Sequence, residues 1–381
     1  MKTRSRRTFM EHCAGLGSVV APLAWFSARC APAGPDPKPG RQAKHEVEED
    51  EDDSVPGYVR LHRRGQLKER GEALWKRMAP CKLCPRTCGV DRPAGEKGFC
   101  QAGADLVISS HHPHFGEEPP LVGKGGSGTV FFSHCGLRCV FCINYEISLL
   151  GHGRKRTLDD LANMMLELQE MGCHNLNVVT PSHYSPYIVL ALDRAVAKGF
   201  TLPLVYNTCG WENMEILAML DGVVDIYLAD FKYACGDMAA KYSTCVPPDT
   251  TYLESEAGER YTSTSIYPQL TQAALLEMNR QVGVARPGDD GLLRRGLIIR
   301  YLVMPNNVGG TADVLQWIAK NLPKDTYVNL MSQYTPTYRA NEFPDIARRI
   351  MREEYQEAVA VAEAEGLTNV EIQGYRPAIF F

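Results

Sequence analysis

The chain has 381 residues, of which 44% are hydrophobic and 23% charged, with a formal net charge of -4. Such a balance describes a soluble globular chain with an ample core, large enough for one barrel-sized domain plus extras. No aromatic-interleaved basic patch stands out, so a nucleic-acid partner is not indicated.

Residues 1–33 read as a targeting segment. Arg6 and Arg7 follow Ser5 and precede Phe9, an apolar stretch runs from Cys13 to Ala28, and Ala31-Pro32-Ala33 forms an exit. The stretch is too short and too interrupted for a membrane span. The Arg pair in this setting resembles the twin-arginine (Tat) signal, which implies export of the folded protein to the periplasm or cell envelope; the alternative is a cytoplasmic protein. Arg29 before Cys30 departs from the small residue that a lipidation site wants. Residues 34–57 carry repeated Pro and the acidic run Glu46 to Asp53, a composition that cannot order itself by burial and reads as a linker.

Residues 58–127 form a Cys-rich module. Cys81, Cys84, Cys88 and Cys100 are spaced C-x2-C-x3-C-x11-C, with Pro85 and Gly89 to turn the backbone. Four thiols in so short a stretch can close a zinc site or hold an auxiliary iron-sulfur cluster, and in an oxidising compartment they could form two disulfides. His111, His112 and His114 lie in a presumed loop near Gly and Pro, read as solvent-facing rather than as metal ligands. Glu117 and Glu118, taken as strand neighbours, are expected to point opposite ways, and the family resemblance described below suggests them as substrate-side residues.

Residues 128–381 begin with the strand-like Gly128 to Phe132, and directly behind it Cys135, Cys139 and Cys142 give C-x3-C-x2-C. A closed tetrahedral site or a fully protein-held cluster wants four ligands, so three on one loop leave a metal position open. This triple, with Phe141 before its last Cys and a strand before its first, resembles the radical S-adenosylmethionine (SAM) superfamily. The resemblance implies a 4Fe-4S cluster on the three Cys and SAM on the open iron.

The pattern Cys81-Lys-Leu-Cys-Pro-Arg-Thr-Cys-Gly-Val-Asp-Arg92, then Gly116-Glu-Glu-Pro-Pro120, then the triad, is similar to one branch of that superfamily. This branch comprises the PflX-type homologues of pyruvate formate-lyase activating enzyme. The likeness runs from about residue 80 to the carboxyl end and is specific at the motifs.

Behind the triad, strand-like runs at Asn175 to Thr180, Leu202 to Tyr206, Val223 to Leu228, Leu297 to Val303 and Thr326 to Leu330 alternate with helix-period segments. The latter are Leu158 to Met171, Tyr187 to Lys198, Glu212 to Leu220, Leu270 to Val282 and Ala312 to Asn321. With Thr129 to Phe132 these make six βα units, the number that a partial (β/α)6 TIM-type barrel needs; the fold class is α/β. Parallel barrels place the active site on the loops after their strands.

By that position and by the resemblance, Thr180, Ser182, Asn207, Thr208 and Asp230 are the expected SAM contacts. Thr180-Pro181-Ser182 stands where activating enzymes carry Gly-Gly-Glu. Asn207-Thr208-Cys209-Gly210 stands where pyruvate formate-lyase activating enzyme has Asp-Thr-Asn-Gly, and Asp230-Phe231-Lys232 resembles its Asp-x-Lys. No catalytic side chain follows from the sequence. The remaining cysteines, Cys13, Cys30, Cys173, Cys209, Cys235 and Cys245, read as ordinary thiols.

The resemblance implies an oxidoreductase that cleaves SAM reductively to a 5'-deoxyadenosyl radical, is fed by a reductant such as flavodoxin or ferredoxin, and acts on a glycyl-radical protein or another substrate. The alternatives are an iron-sulfur electron-transfer or maturation protein that does not cleave SAM, and a zinc-stabilised binding module.

Overall fold

The computed structural model describes residues 55–243, 252–254, 260–262 and 266–374. The Tat-like segment, all of the linker but its last three residues, and Cys245 lie outside the described residues. Asp52–Phe381 forms one compact unit.

In chain order the elements are α1 (Gly57–Arg63), α2 (Gln66–Trp75), β1 (Leu106–His114), α3 (Pro119–Val122), β2 (Ser127–Phe132), α4 (Tyr145–Ser148) and β3 (Arg154–Arg156). Next come α5 (Leu158–Glu170), β4 (Leu176–Val179), α6 (Ser185–Val196), β5 (Leu204–Thr208), α7 (Met214–Met219) and β6 (Ile226–Asp230). The chain continues through α8 (Gly236–Ser243), β7 (Tyr252–Glu254), β8 (Arg260–Thr262), α9 (Tyr267–Val282), β9 (Gly296–Leu302), α10 (Thr311–Asn321), β10 (Tyr327–Met331), α11 (Arg352–Ala364) and β11 (Val370–Ile372).

Local chemistry accounts for the boundaries. At the start of α5, Thr157 Oγ1 accepts the Asp160 amide at 3.1 Å while Asp160 Oδ2 accepts the Thr157 amide at 2.8 Å, a reciprocal cap. Leu161, Met164, Met165 and Leu168 then recur at helical spacing and are buried. Gly283, at φ 72°, closes α9 in a conformation that Cβ-bearing residues resist.

Nine strands form one sheet in the order β11-β10-β9-β6-β5-β4-β2-β1-β3. From β2 to β11 every pairing is parallel, whereas β1 lies antiparallel on β2 and β3 antiparallel on β1. Successive parallel strands add in one direction without a switch point, as in a singly wound barrel and unlike a doubly wound sheet. All six expected strands are present within a few residues of their expected bounds. Sequence reading missed a seventh parallel strand, β11, and the antiparallel pair β1 and β3.

Alternation along the strands separates two cores. Leu204, Tyr206, Tyr227, Ala229, Leu297 and Ile299 face the helices in the larger core. Val205, Ile226, Leu228 and Ile298 face the other way, onto Leu121 of α3 and Tyr327. On this α3 face, buried polar residues lie further along the strands: Asn207, Asp230 and, in the middle of β10, Asn329.

Candidate metal centre

Beyond β2 the backbone turns sharply. His134 and Arg138 both take positive φ, at 75° and 63°, so the chain folds back on itself between Cys135 and Cys142. The Leu137 amide lies 3.4 Å from Cys135 Sγ, Ser243 Oγ lies 3.0 Å from Cys139 Sγ, and Ser148 Oγ lies 3.1 Å from Cys142 Sγ. All three thiols are free. Burial pushes Cys139 up to about 12 and raises Cys142, while Lys232 pulls against both shifts.

The donor set fits an iron-sulfur cluster: three soft thiols on one loop, each with a hydrogen-bonding neighbour, beside a lysine that offsets thiolate charge. Cys135, Cys139 and Cys142 would hold it. Among the described residues, no three or more His, Cys, Asp or Glu groups close on a metal-ion site.

One thiol read as ordinary is drawn into this centre. Cys209, just past β5, hydrogen-bonds with Cys135, which lowers Cys135 and raises Cys209. Its place at a strand end, within the Asn207-Thr208-Cys209-Gly210 segment expected to face the cofactor, is the sequence signal that points to it. Gly210 makes the turn possible: at φ 76°, a Cβ there would come within 2.2 Å of the Asp230 carbonyl oxygen.

The four-Cys segment packs directly beside the triad. Cys81 and Cys88 share a thiol hydrogen bond, and Cys84 and Cys100 are buried together nearby. Cys88 Sγ fits only because residue 98 is Gly, where a Cβ would lie 2.5 Å away. Arg86 Nε donates to the Gly136 carbonyl at 2.7 Å, so its guanidinium stands between the two cysteine groups and feels Cys84, Cys135 and Cys100. The fully buried Arg92 donates to the Gly103 carbonyl through Nε and Nη2, at 3.0 and 2.7 Å, and to the His183 carbonyl at 2.7 Å through Nη1. It thus joins the segment to the loop after β4.

The expected SAM contacts divide into two groups. Ser182 Oγ donates to Glu212 Oε1 at 2.6 Å and Thr208 Oγ1 donates to the same oxygen, so both hydroxyls are engaged on the helix face. Glu212, missed in the sequence, is fully buried, and burial pushes its carboxyl up to about 7 despite these donors. Thr180 takes φ 55° and bonds the Asn207 carbonyl through its amide at 2.9 Å.

Asn207 and Asp230 lie instead on the α3 face with Arg300, which donates to Asn207 Oδ1 at 2.6 Å and Asp230 Oδ1 at 2.8 Å. Lys232 pairs with the other oxygen of Asp230. Burial favours the neutral acid, but Arg300 and Lys232 outweigh it and hold Asp230 below the ordinary carboxylate range.

Two sequence readings need correction. His111, His112 and His114 form the end of strand β1 rather than a loop, because pairing with β2 orders them. His112 and His114 pack on Phe131, at ring-centroid distances of 5.6 and 6.2 Å, and His111 bonds Glu167 at 2.8 Å. Glu117 and Glu118 stand in the turn before α3, not on a strand, so alternation does not separate them. Glu117 accepts from Asn177 at 3.2 Å and lies 3.5 Å from Arg300, and Glu118 accepts from Asn329 at 2.9 Å.

No family model matches the chain. A 296-residue stretch is 30% identical to the uncharacterized protein MJ0674 of Methanocaldococcus jannaschii, covering 75% of each chain. The chain therefore belongs to the family of that protein. Among solved structures, it matches HydG, a maturase of the FeFe hydrogenase, with a TM-score of 0.37 and 14% identity over 83% of this chain. The chain spans 65% of the length of HydG.

Proposed function

We propose that this chain is a radical SAM enzyme whose Cys135, Cys139 and Cys142 hold a 4Fe-4S cluster. The observation that carries the reading is the loop itself: three hydrogen-bonded thiols directly beyond a parallel strand, with Lys232 beside them. When bound, such a cluster supplies an electron that splits SAM to methionine and a 5'-deoxyadenosyl radical. Ser148, Ser243 and the Leu137 amide stabilise the thiolates, and Asp230, held ionised between Arg300 and Lys232, presents a fixed charge beside the loop.

In this reading the enzyme resembles glycyl-radical-enzyme activases, draws electrons from a flavodoxin or ferredoxin, and its Tat-like segment directs export. Cys81, Cys84, Cys88 and Cys100 hold zinc or an auxiliary cluster. Among the described residues no helix is long and apolar enough to cross a membrane.

Anaerobically reconstituted protein reduced with dithionite should release 5'-deoxyadenosine from SAM, and Cys139→Ala should abolish it. No product from the wild type sinks the proposal. Cys209 favours a second reading, because a thiol beside Cys135 could complete a four-thiol cluster for electron transfer without SAM cleavage. Under the first reading Cys209→Ala keeps its iron content and its SAM cleavage. Under the second it loses iron.

A further inference from the structure

At the β10 and β11 end of the α3 face, two buried acceptors are left without donors among the described residues. Glu118 is 3% exposed and Asn329 2% exposed. Asn329 Nδ2 donates to Glu118 Oε1 at 2.9 Å, which fixes the amide's orientation, and neither Glu118 Oε2 nor Asn329 Oδ1 has a hydrogen-bond partner among the described residues. On the next strand, Glu371 sits in register with Asn329. Tyr327 Oη donates to Glu371 Oε2 at 2.7 Å. The two carboxylates lie close enough for the charge of Glu118 to act on Glu371.

Neither carboxylate has an ion-pair partner among the described residues. Arg300 feels the charge of Glu118 but is engaged by Asp230, Asn207 and Glu117. A buried carboxylate without a cation is costly, and an acceptor left without a donor adds to the cost.

We propose that Glu118, Asn329 and Glu371 form a subsite for an alkylammonium group of the substrate. This names a substrate class for the proposed enzyme and rests on that reading. An ammonium offers three donors and no acceptor, which suits the unpartnered Glu118 Oε2 and Asn329 Oδ1 and the carboxylate of Glu371 in register beside them. A guanidinium suits the site less well. Its planar fork wants both oxygens of one carboxylate, and Asn329 already occupies one oxygen of Glu118 while Tyr327 occupies one of Glu371.

The test is calorimetric titration of the full chain, as purified and after reconstitution with SAM, using n-butylammonium, n-butanol, n-butylguanidinium and potassium chloride. Butylammonium should bind saturably and at least tenfold more tightly than butanol or butylguanidinium. Glu118→Gln and Glu371→Gln, each checked for an unchanged melting profile, should each weaken it about tenfold. Equal binding of amine and alcohol, preference for the guanidinium, displacement by equimolar potassium, or full affinity in both variants overturns the inference. SAM cleavage with no amine binding removes the subsite alone, and amine binding without SAM cleavage removes the enzymatic reading alone.

Discussion

Glu212 is a buried carboxylate surrounded by hydroxyl donors, and its titration has a stability consequence. Its carboxyl rises from the ordinary 4.5 to about 7 in the folded chain. The folded state therefore holds the proton more tightly than the unfolded state does. The stabilisation is complete below pH 4.5 and is lost as pH rises through about 7. That change corresponds to about 3 kcal/mol, and Glu212→Gln should flatten this part of the curve in urea unfolding followed between pH 4.5 and 7. A slope as steep as that of the wild type would assign the pH dependence to other groups, of which Asp225, raised by burial to about 6, is the foremost. No pattern in the sequence announced Glu212. Its raised pKa comes from burial, against which Ser182 in the turn after β4 and Tyr206 and Thr208 on β5 donate hydrogen bonds that favour the carboxylate.

At the scale of elements, α5 starts where it does because Thr157 and Asp160 cap each other. Thr157→Ala should cost about 1 kcal/mol in chemical unfolding and leave metal content untouched. Gly210 couples β5 to the cysteine triad more directly. Gly210→Ala introduces a Cβ against the Asp230 carbonyl, which must shift the turn that carries Cys209. A loss of about 1–3 kcal/mol is expected, measured by thermal unfolding, and an unchanged melting temperature would mean that the turn accommodates the methyl. The six parallel strands were legible as short apolar runs because they are buried on both faces, and the five helices from their helical periodicity because each buries one face. The strand β1 was not legible: its Ser-Ser-His-His-Pro-His stretch is poor in apolar residues, and pairing with β2 on one edge and β3 on the other orders it. Strand β11 is three residues long, too short for any periodic signal, and exists through its register with β10.

For the whole molecule, the α3 face is held together by Arg300, which ties β5, β6 and the Glu117 turn from a single position on β9. Arg300→Met removes the cation and leaves Asp230 and Glu117 in a buried setting. A loss of about 3–5 kcal/mol is expected in equilibrium unfolding, and a loss under 1 kcal/mol would mean that water replaces the guanidinium. The sequence by itself determined the strand and helix alternation and the spacing of Cys135, Cys139 and Cys142, because local periodicity and a short loop encode both. Only the tertiary structure decided which distant groups meet. It set Cys209 against Cys135, put the four-Cys segment beside the triad, and moved Ser182 and Thr208 onto Glu212. It also gathered Glu118, Asn329 and Glu371 where strand register and the turn before α3 converge, because contacts between residues far apart in the chain follow from how strands are ordered and paired.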